Sequence, residues 1–170
     1  MGKGHGIIAG MLAVIGLSAQ AADLQPGMSA PGFTALDQAS KSVKLSDYLG
    51  KSNVVLYFYP KDDTPGCTAE ACSLKDGYSD ILATGAVVLG VSADDTTSHA
   101  AFAEKFHLPF SILADPGKKI IDAYGVRMPV VGIAKRVTFI IDKGGIIRHI
   151  VREVNTKAHD KQVLALLKTL

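Results

Sequence analysis

The two cysteines of the 170-residue chain stand five positions apart, at Cys67 and Cys72, inside the stretch Pro60 to Cys72, PKDDTPGCTAEAC. A thiolate is the most nucleophilic group an ordinary side chain offers near neutral pH, so the chemistry is to be sought here first. Two aspartates, a threonine, a proline and a glycine lie between Pro60 and Cys67, all turn or helix-start residues. Cys67 is therefore expected at or near a helix N-terminus. Unpaired backbone N–H groups and the helix dipole favour a negative charge there, which makes Cys67 the candidate thiolate. Two cysteines in an exported chain are most simply a structural disulfide, and on spacing alone that reading stays open. A thiol-disulfide oxidoreductase is a second reading, although the pair lacks the Cys-x-x-Cys spacing such proteins use.

The surrounding sequence supplies elements to position this stretch. Val54 to Tyr59, VVLYFY, is a short β-branched and aromatic run that suits a strand buried on both faces, and Pro60 ends it. Thr68 to Ala83 is expected to be one helix with Leu74, Tyr78, Ile81 and Leu82 on its apolar face, weakened by Gly77 and closed by Gly85. Ala86 to Val91 repeats the buried-strand pattern. The Asp94-Asp95 pair after it is expected to cap a helix near Ser98 to Phe106 rather than to act as paired acid and base. Further on come a strand at Phe110–Leu113, a helix near Lys118–Tyr124, a loop over Val126–Lys135 and a strand at Val137–Ile141. A turn at Asp142–Gly145 leads to a return strand at Ile146–Val154 and an amphipathic helix at His159–Leu170. Upstream, Phe33–Leu36 and Val43–Leu45 are brief strands, with Ser46 placed to cap a helical turn. Successive βα units followed by an antiparallel hairpin and a last helix predict an α/β fold, a mixed central sheet with helices on both faces.

Composition narrows the function classes. Hydrophobic residues make up 48% and charged residues 20%, as in globular domains. A net charge of +2 with no basic run argues against nucleic acid as a partner. The five histidines, His5, His99, His107, His149 and His159, show no ligand spacing, so neither a metal nor another cofactor is expected. Residues 1–21 read as a cleaved signal peptide: Lys3 gives a weakly positive start, Ile7 to Leu17 is apolar, and Ala19-Gln20-Ala21 offers small residues for cleavage. That apolar run is about half the ~20 residues a membrane span needs. The expectation is a single domain over 22–170 in a periplasmic or otherwise exported protein, without stable membrane association once the signal is removed.

The cysteine segment, with Pro60, Thr64 and Cys67 in a Pro-x-x-x-Thr-x-x-Cys pattern and Cys72 five positions on, resembles the active site of the peroxiredoxins, specifically the peroxiredoxin Q or bacterioferritin comigratory protein subfamily. SAPGFTALD, LYFYPKDDTPGC, VVLGVSADD, FAEKFHLPFSILAD, AYGV and KRVTFIID resemble family segments in the same order, over most of the mature chain. The resemblance implies a thioredoxin-like fold and a thiol-dependent peroxidase acting on hydrogen peroxide or organic hydroperoxides. Cys67 would become a sulfenic acid and Cys72 would resolve it as an intramolecular disulfide. A thioredoxin-like dithiol protein would return the electrons, and the subfamily's frequent monomeric state is the expectation here. An ordinary cysteine, of pKa ~8.5, is only a few per cent ionised at pH 7, so ionisation alone gains ~30-fold. Further acceleration needs donors that hold the peroxide and stabilise charge on the leaving oxygen. Thr64, Arg136 and the N–H groups at Cys67 fit that part, with Pro60 shielding the sulfur from water. Arg136 stands where the family carries its active-site arginine, with Lys135 beside it as the alternative cation. Thr64 is expected to cap the helix while also bonding the thiolate or peroxide. Against all this stands a binding or structural module with an inert disulfide.

Overall fold

The computed structural model describes residues 23–170, so the expected signal segment lies outside the described residues. Seven strands form one mixed sheet: β1 (Thr34–Asp37), β2 (Ser42–Lys44), β3 (Asn53–Phe58), β4 (Ala86–Ser92), β5 (Ser111–Ala114), β6 (Val137–Ile141) and β7 (Ile147–Val151), in the order β2-β1-β5-β4-β3-β6-β7. The centre, β3-β4-β5, is parallel, and the strands outside it pair antiparallel. Side chains alternate across the central strands. Val54, Leu56 and Phe58 face one core with Phe139 and Ile141, while Val55 and Tyr57 face a second core with Ile140. The unbroken apolar runs in the sequence are thus strands buried on both faces.

Five helices cover the sheet: α1 (Pro65–Asp76), α2 (Tyr78–Ala83), α3 (Thr96–Phe106), α4 (Lys119–Ala123) and α5 (His159–Leu167). Helix α4 packs Ile120 and Ile121 into the first core, and the other four close the second. The expected thioredoxin-like arrangement is present, with the helices divided unequally between the faces.

Three local expectations need correction. The helix expected over Thr68–Ala83 is two, α1 and α2, joined at Gly77. A Cβ on Gly77 would lie 2.6 Å from the Asp160 Cβ of α5, so glycine is required there by close helix packing as well as tolerated at a break. Leu74 and Ile81 are buried as expected, whereas Leu82 is 46% exposed. Ser46 caps nothing; it lies inside a 3₁₀ turn, Leu45–Asp47, whose start is satisfied by the Asp47 side chain accepting from Lys44 N at 2.9 Å. Asp95 does cap α3, accepting from Ser98 N at 2.9 Å. No helix among the described residues is long and apolar enough to cross a membrane.

Candidate active site

β3 ends at Phe58, and after Tyr59 and Pro60 the chain turns through Lys61–Thr64 into α1, where Cys67 is the third residue. Proline at the first helical position lacks only an N–H that would have no partner. The N–H groups of Gly66 and Cys67, in the first turn, have no intrahelical acceptor and remain available to an anion. Cys67 is 1% exposed, Cys72 is partly exposed, and both are free thiols on one continuous helix.

Strand register brings the arginine in. Phe58 of β3 faces Val137 of β6, so Arg136 lies beside the end of β3 where α1 begins. Alternation places Arg136, Thr138 and Ile140 on the α1 side of the sheet, and Lys135 is exposed. Arg136 Nη2 donates to Cys67 Sγ at 3.3 Å, and Nη1 donates to the Glu70 carboxylate oxygen Oε2. A Cβ on Gly66 would stand 3.1 Å from Arg136 Nη2, so the glycine leaves room for the guanidinium. Arg136 is therefore the cation at the sulfur, and Lys135 is not.

Thr64 occupies the N-cap position of α1, but its side chain makes no cap hydrogen bond. Its hydroxyl donates instead to Lys61 O at 2.8 Å, and Thr64 O accepts from Thr68 N at 2.8 Å. The expected side-chain cap is absent, because the Lys61–Thr64 turn takes the hydroxyl proton. No hydrogen bond joins Thr64 or Pro60 to Cys67 among the described residues.

Two parts of the site were not anticipated. Glu70, three residues after Cys67 on the same helix face, is fully buried against Arg136. Burial pushes its carboxyl up to about 7, against the opposing pull of the Arg136 charge. Behind it, His159 of α5 is also fully buried, with Nε2 2.8 Å from Thr138 Oγ1 and 3.7 Å from Glu70 Oε1. Burial, then the Arg136 charge, holds this imidazole below its ordinary range. The other part anchors the loop. Asp62 accepts from Tyr59 Oη at 2.6 Å and Ser98 Oγ at 2.7 Å and bonds His99 Nδ1 at 2.7 Å, while its own N–H donates to Asp94 Oδ2 at 3.0 Å. Burial works against charge on His99, but the bond and charge of Asp62 outweigh it and raise the imidazole's pKa. The three-residue spacing of Cys67 and Glu70 was a readable signal for the first part; nothing local in the sequence points to His159 or His99. A recess lined by Asn53, Asp142, Lys143 and Arg148 lies at the other end of β3, away from both thiols.

A buried thiol on a helix N-terminus, held by a guanidinium, is arranged for nucleophilic attack by sulfur. Residues 26–150 match the model of the AhpC/TSA family. Peroxiredoxin Q of Populus jackii, a chloroplastic protein, is 42% identical over 151 residues, 88% of this chain and 70% of that one. The crystal structure of peroxidoxin BcpB from Mycobacterium tuberculosis superposes with a TM-score of 0.81 at 31% identity, over 86% of this chain and 98% of the other. Bacterioferritin comigratory protein from Xanthomonas campestris, whose structure is described for its alkyl peroxide reduction activity, superposes at 0.75 with 29% identity, over 81% of this chain and 90% of the other. The chain belongs to the AhpC/TSA family, within it to the peroxiredoxins of the Q or bacterioferritin comigratory protein kind.

Proposed function

We propose that this peroxiredoxin works as a two-cysteine peroxidase with Cys67 as the attacking thiolate and Cys72 as the resolving thiol. The observation that carries the assignment is the 3.3 Å contact from Arg136 Nη2 to Cys67 Sγ. Cys72, by contrast, sits mid-helix and partly exposed. Attack forms a sulfur–oxygen bond as the peroxide O–O bond breaks, leaving a sulfenic acid on Cys67 and an alcohol or water. Arg136 and the free N–H groups at the start of α1 stabilise the charge that develops on the oxygens. Thr64, with its proton committed to Lys61 O, offers lone pairs suited to accept from the hydroperoxide O–H. Pro60 is assigned the part of shielding the sulfur from water, as the family resemblance implies. Cys72 then condenses with the sulfenic acid, releasing water and forming a disulfide that a thioredoxin-like dithiol protein reduces. Organic hydroperoxides belong in the substrate range, an inference supported by the activity named for the Xanthomonas relative.

In this reading Cys67→Ser abolishes turnover, while Cys72→Ser still permits one round of sulfenic acid formation, followed with a sulfenate-trapping reagent. Label appearing on Cys72 of the Cys67→Ser protein at the wild-type rate would reverse the roles. We also propose that residues 1–21 direct export to the periplasm or beyond and that residues 22–170 act there as a monomer. The apolar Ile7–Leu17 run and the Ala19-Gln20-Ala21 site support export. N-terminal sequencing of the fractionated protein, with light scattering for its mass, is the check; a cytosolic chain retaining Met1 would remove the export reading.

A further inference from the structure

One guanidinium serves two acids in this site. Arg136 Nη2 faces Cys67 Sγ at 3.3 Å and Nη1 faces Glu70 Oε2, and both acids are shut away from water. If thiol and carboxyl ionise together, two buried anions share one cation; if only one ionises, the charges balance. The single guanidinium therefore favours one anion at a time. The remaining carboxyl oxygen, Glu70 Oε1, is buried with no hydrogen-bond partner among the described residues, an expensive position for an anionic oxygen. The groups facing Glu70 are Cys67 on its own helix, Arg136 before β6, Tyr57 on β3 and His159 on α5, which itself lies in the field of Asp160. His159 is placed to relay a proton from this side without keeping it, because burial and the Arg136 charge hold its imidazole below the ordinary range. Gln162 Oε1 accepts from Asn155 N at 2.9 Å and lies 3.0 Å from His159 Nδ1, so Nδ1 carries the ring hydrogen. The lone pair is on Nε2, which accepts from Thr138 Oγ1 and stands 3.7 Å from Glu70 Oε1.

We propose that Glu70 stores the proton Cys67 gives up on ionising, and that it releases that proton toward His159 Nε2 once the sulfur has lost its charge. This rests on Cys67 being the attacking thiolate. In the first step the S–H bond breaks and an O–H bond forms on Glu70, with no change of oxidation state. When sulfur takes the peroxide oxygen, sulfur is oxidised by two electrons and the peroxide is reduced by the same two. The departing oxygen takes a proton from water. Arg136 is then left with one anion site, Glu70 ionises to fill it, and the released proton neutralises the hydroxide left in solvent. Glu70 acts through Arg136 and never meets the peroxide, so it is a positioning residue with a proton-storing duty.

Infrared difference spectroscopy of reduced against disulfide protein tests this. The chain has three glutamates, Glu70, Glu104 and Glu153, and the last two are exposed, so ¹³C-glutamate labelling identifies Glu70 without any mutation. The reduced protein near pH 7 should show a label-sensitive carboxylic-acid carbonyl band that is lost in the disulfide form and absent from Glu70→Gln. Methylthiolation of Cys67 in the Cys72→Ser protein should remove the same band without peroxide, so a failure of the peroxidase reading would not be mistaken for a failure of this one. After mixing with peroxide, decay of the band should lag sulfenic acid formation in His159→Asn and track it in the wild type. A band of equal strength with Cys67 free and blocked, or no label-sensitive band in the reduced protein, would overturn the proton store. Unchanged decay in His159→Asn would overturn the route.

Discussion

Arg136 holds the sulfur and, in the reading above, the reacting oxygens as well; kinetics can separate the two duties. Replacing Arg136 with Met should slow peroxide attack by about 10²–10³-fold, the usual cost of losing a donor to developing oxyanion charge. Alkylation of Cys67 at matched thiolate fraction should slow far less, because an alkylating agent presents no such oxygen. Equal slowing of both would leave Arg136 with electrostatic control of the thiol alone. Glu70 leads to a different measurement, the pH dependence of stability. Its folded carboxyl is pushed from an ordinary 4.5 up to about 7, mainly by burial and despite Arg136. A raised acid keeps its proton in the folded state after the unfolded chain has lost it, so stability is full below 4.5 and falls as pH rises to about 7. The loss is on the order of 3 kcal/mol. Urea titrations of reduced wild type should show this fall between those two pH values, and the same titrations of Glu70→Gln should lack it. Parallel curves would mean that the carboxyl is already ionised in the folded protein. Of these residues, the cysteines and Arg136 were legible in the sequence because their motif is local or tied to a strand start. Glu70 was legible only in its three-residue spacing from Cys67, because its importance comes from burial against a residue 66 positions away.

Helix α1 cannot stay regular through the catalytic cycle. Residues five apart on an α-helix differ by about 7.5 Å in rise and about 140° in rotation, which puts their Cα atoms about 8.6 Å apart. A disulfide needs less than about 7 Å. Cys67 and Cys72 both lie on α1, so forming their bond requires the helix between them to open. The structure sets the limits of that opening. Upstream, Asp62 is fixed by Tyr59, Ser98 and His99. Downstream, Ser73 is tied to Asp160, and Leu74 is fully buried. Unwinding should therefore run from about Thr64 to Cys72 and stop there. Hydrogen exchange on reduced and disulfide protein should show protection lost over Thr68–Cys72 and retained at Leu74 and in β3. Equal protection in both forms, with the Cys67–Cys72 bond confirmed by mass spectrometry, would sink the opening mechanism. The sequence suggested that Gly77 weakens this helix. Its reading of Gly77 was incomplete, because the contact that requires glycine there comes from Asp160, on a helix more than eighty residues away.

Across the whole molecule, the sequence was most informative where one strand or one turn decides the matter. Val137–Ile141 was placed to the residue, and the buried central strands to within one at each end, because continuous apolar runs between turn residues admit few alternatives. Contacts that join distant parts of the chain had no such local signature, and α5 is the main case. It was expected as an amphipathic helix, and Val163 and Leu167 are indeed buried. Its polar first turn also grips α1: Asp160 Oδ1 accepts from Ser73 Oγ at 2.8 Å, and Asp160 N donates back to the same hydroxyl at 3.1 Å. The last helix of the chain thus holds the back half of the cysteine helix, immediately beyond Cys72. Ser73→Ala removes both bonds and leaves Asp160 N without that acceptor, which should lower global stability by about 1–2 kcal/mol. It should also let Cys72 reach the sulfenic acid sooner, raising the resolution rate by roughly two- to tenfold if the loss falls on the local opening step. Faster resolution leaves Cys67 less time to meet a second peroxide, so less sulfinic acid should accumulate at a given peroxide concentration. The chain has no tryptophan, so the measurement is quenched-flow mass spectrometry of the disulfide and sulfinic forms. Lower stability with an unchanged ratio of disulfide to sulfinic acid would show that α5 supports the fold without governing the opening of α1.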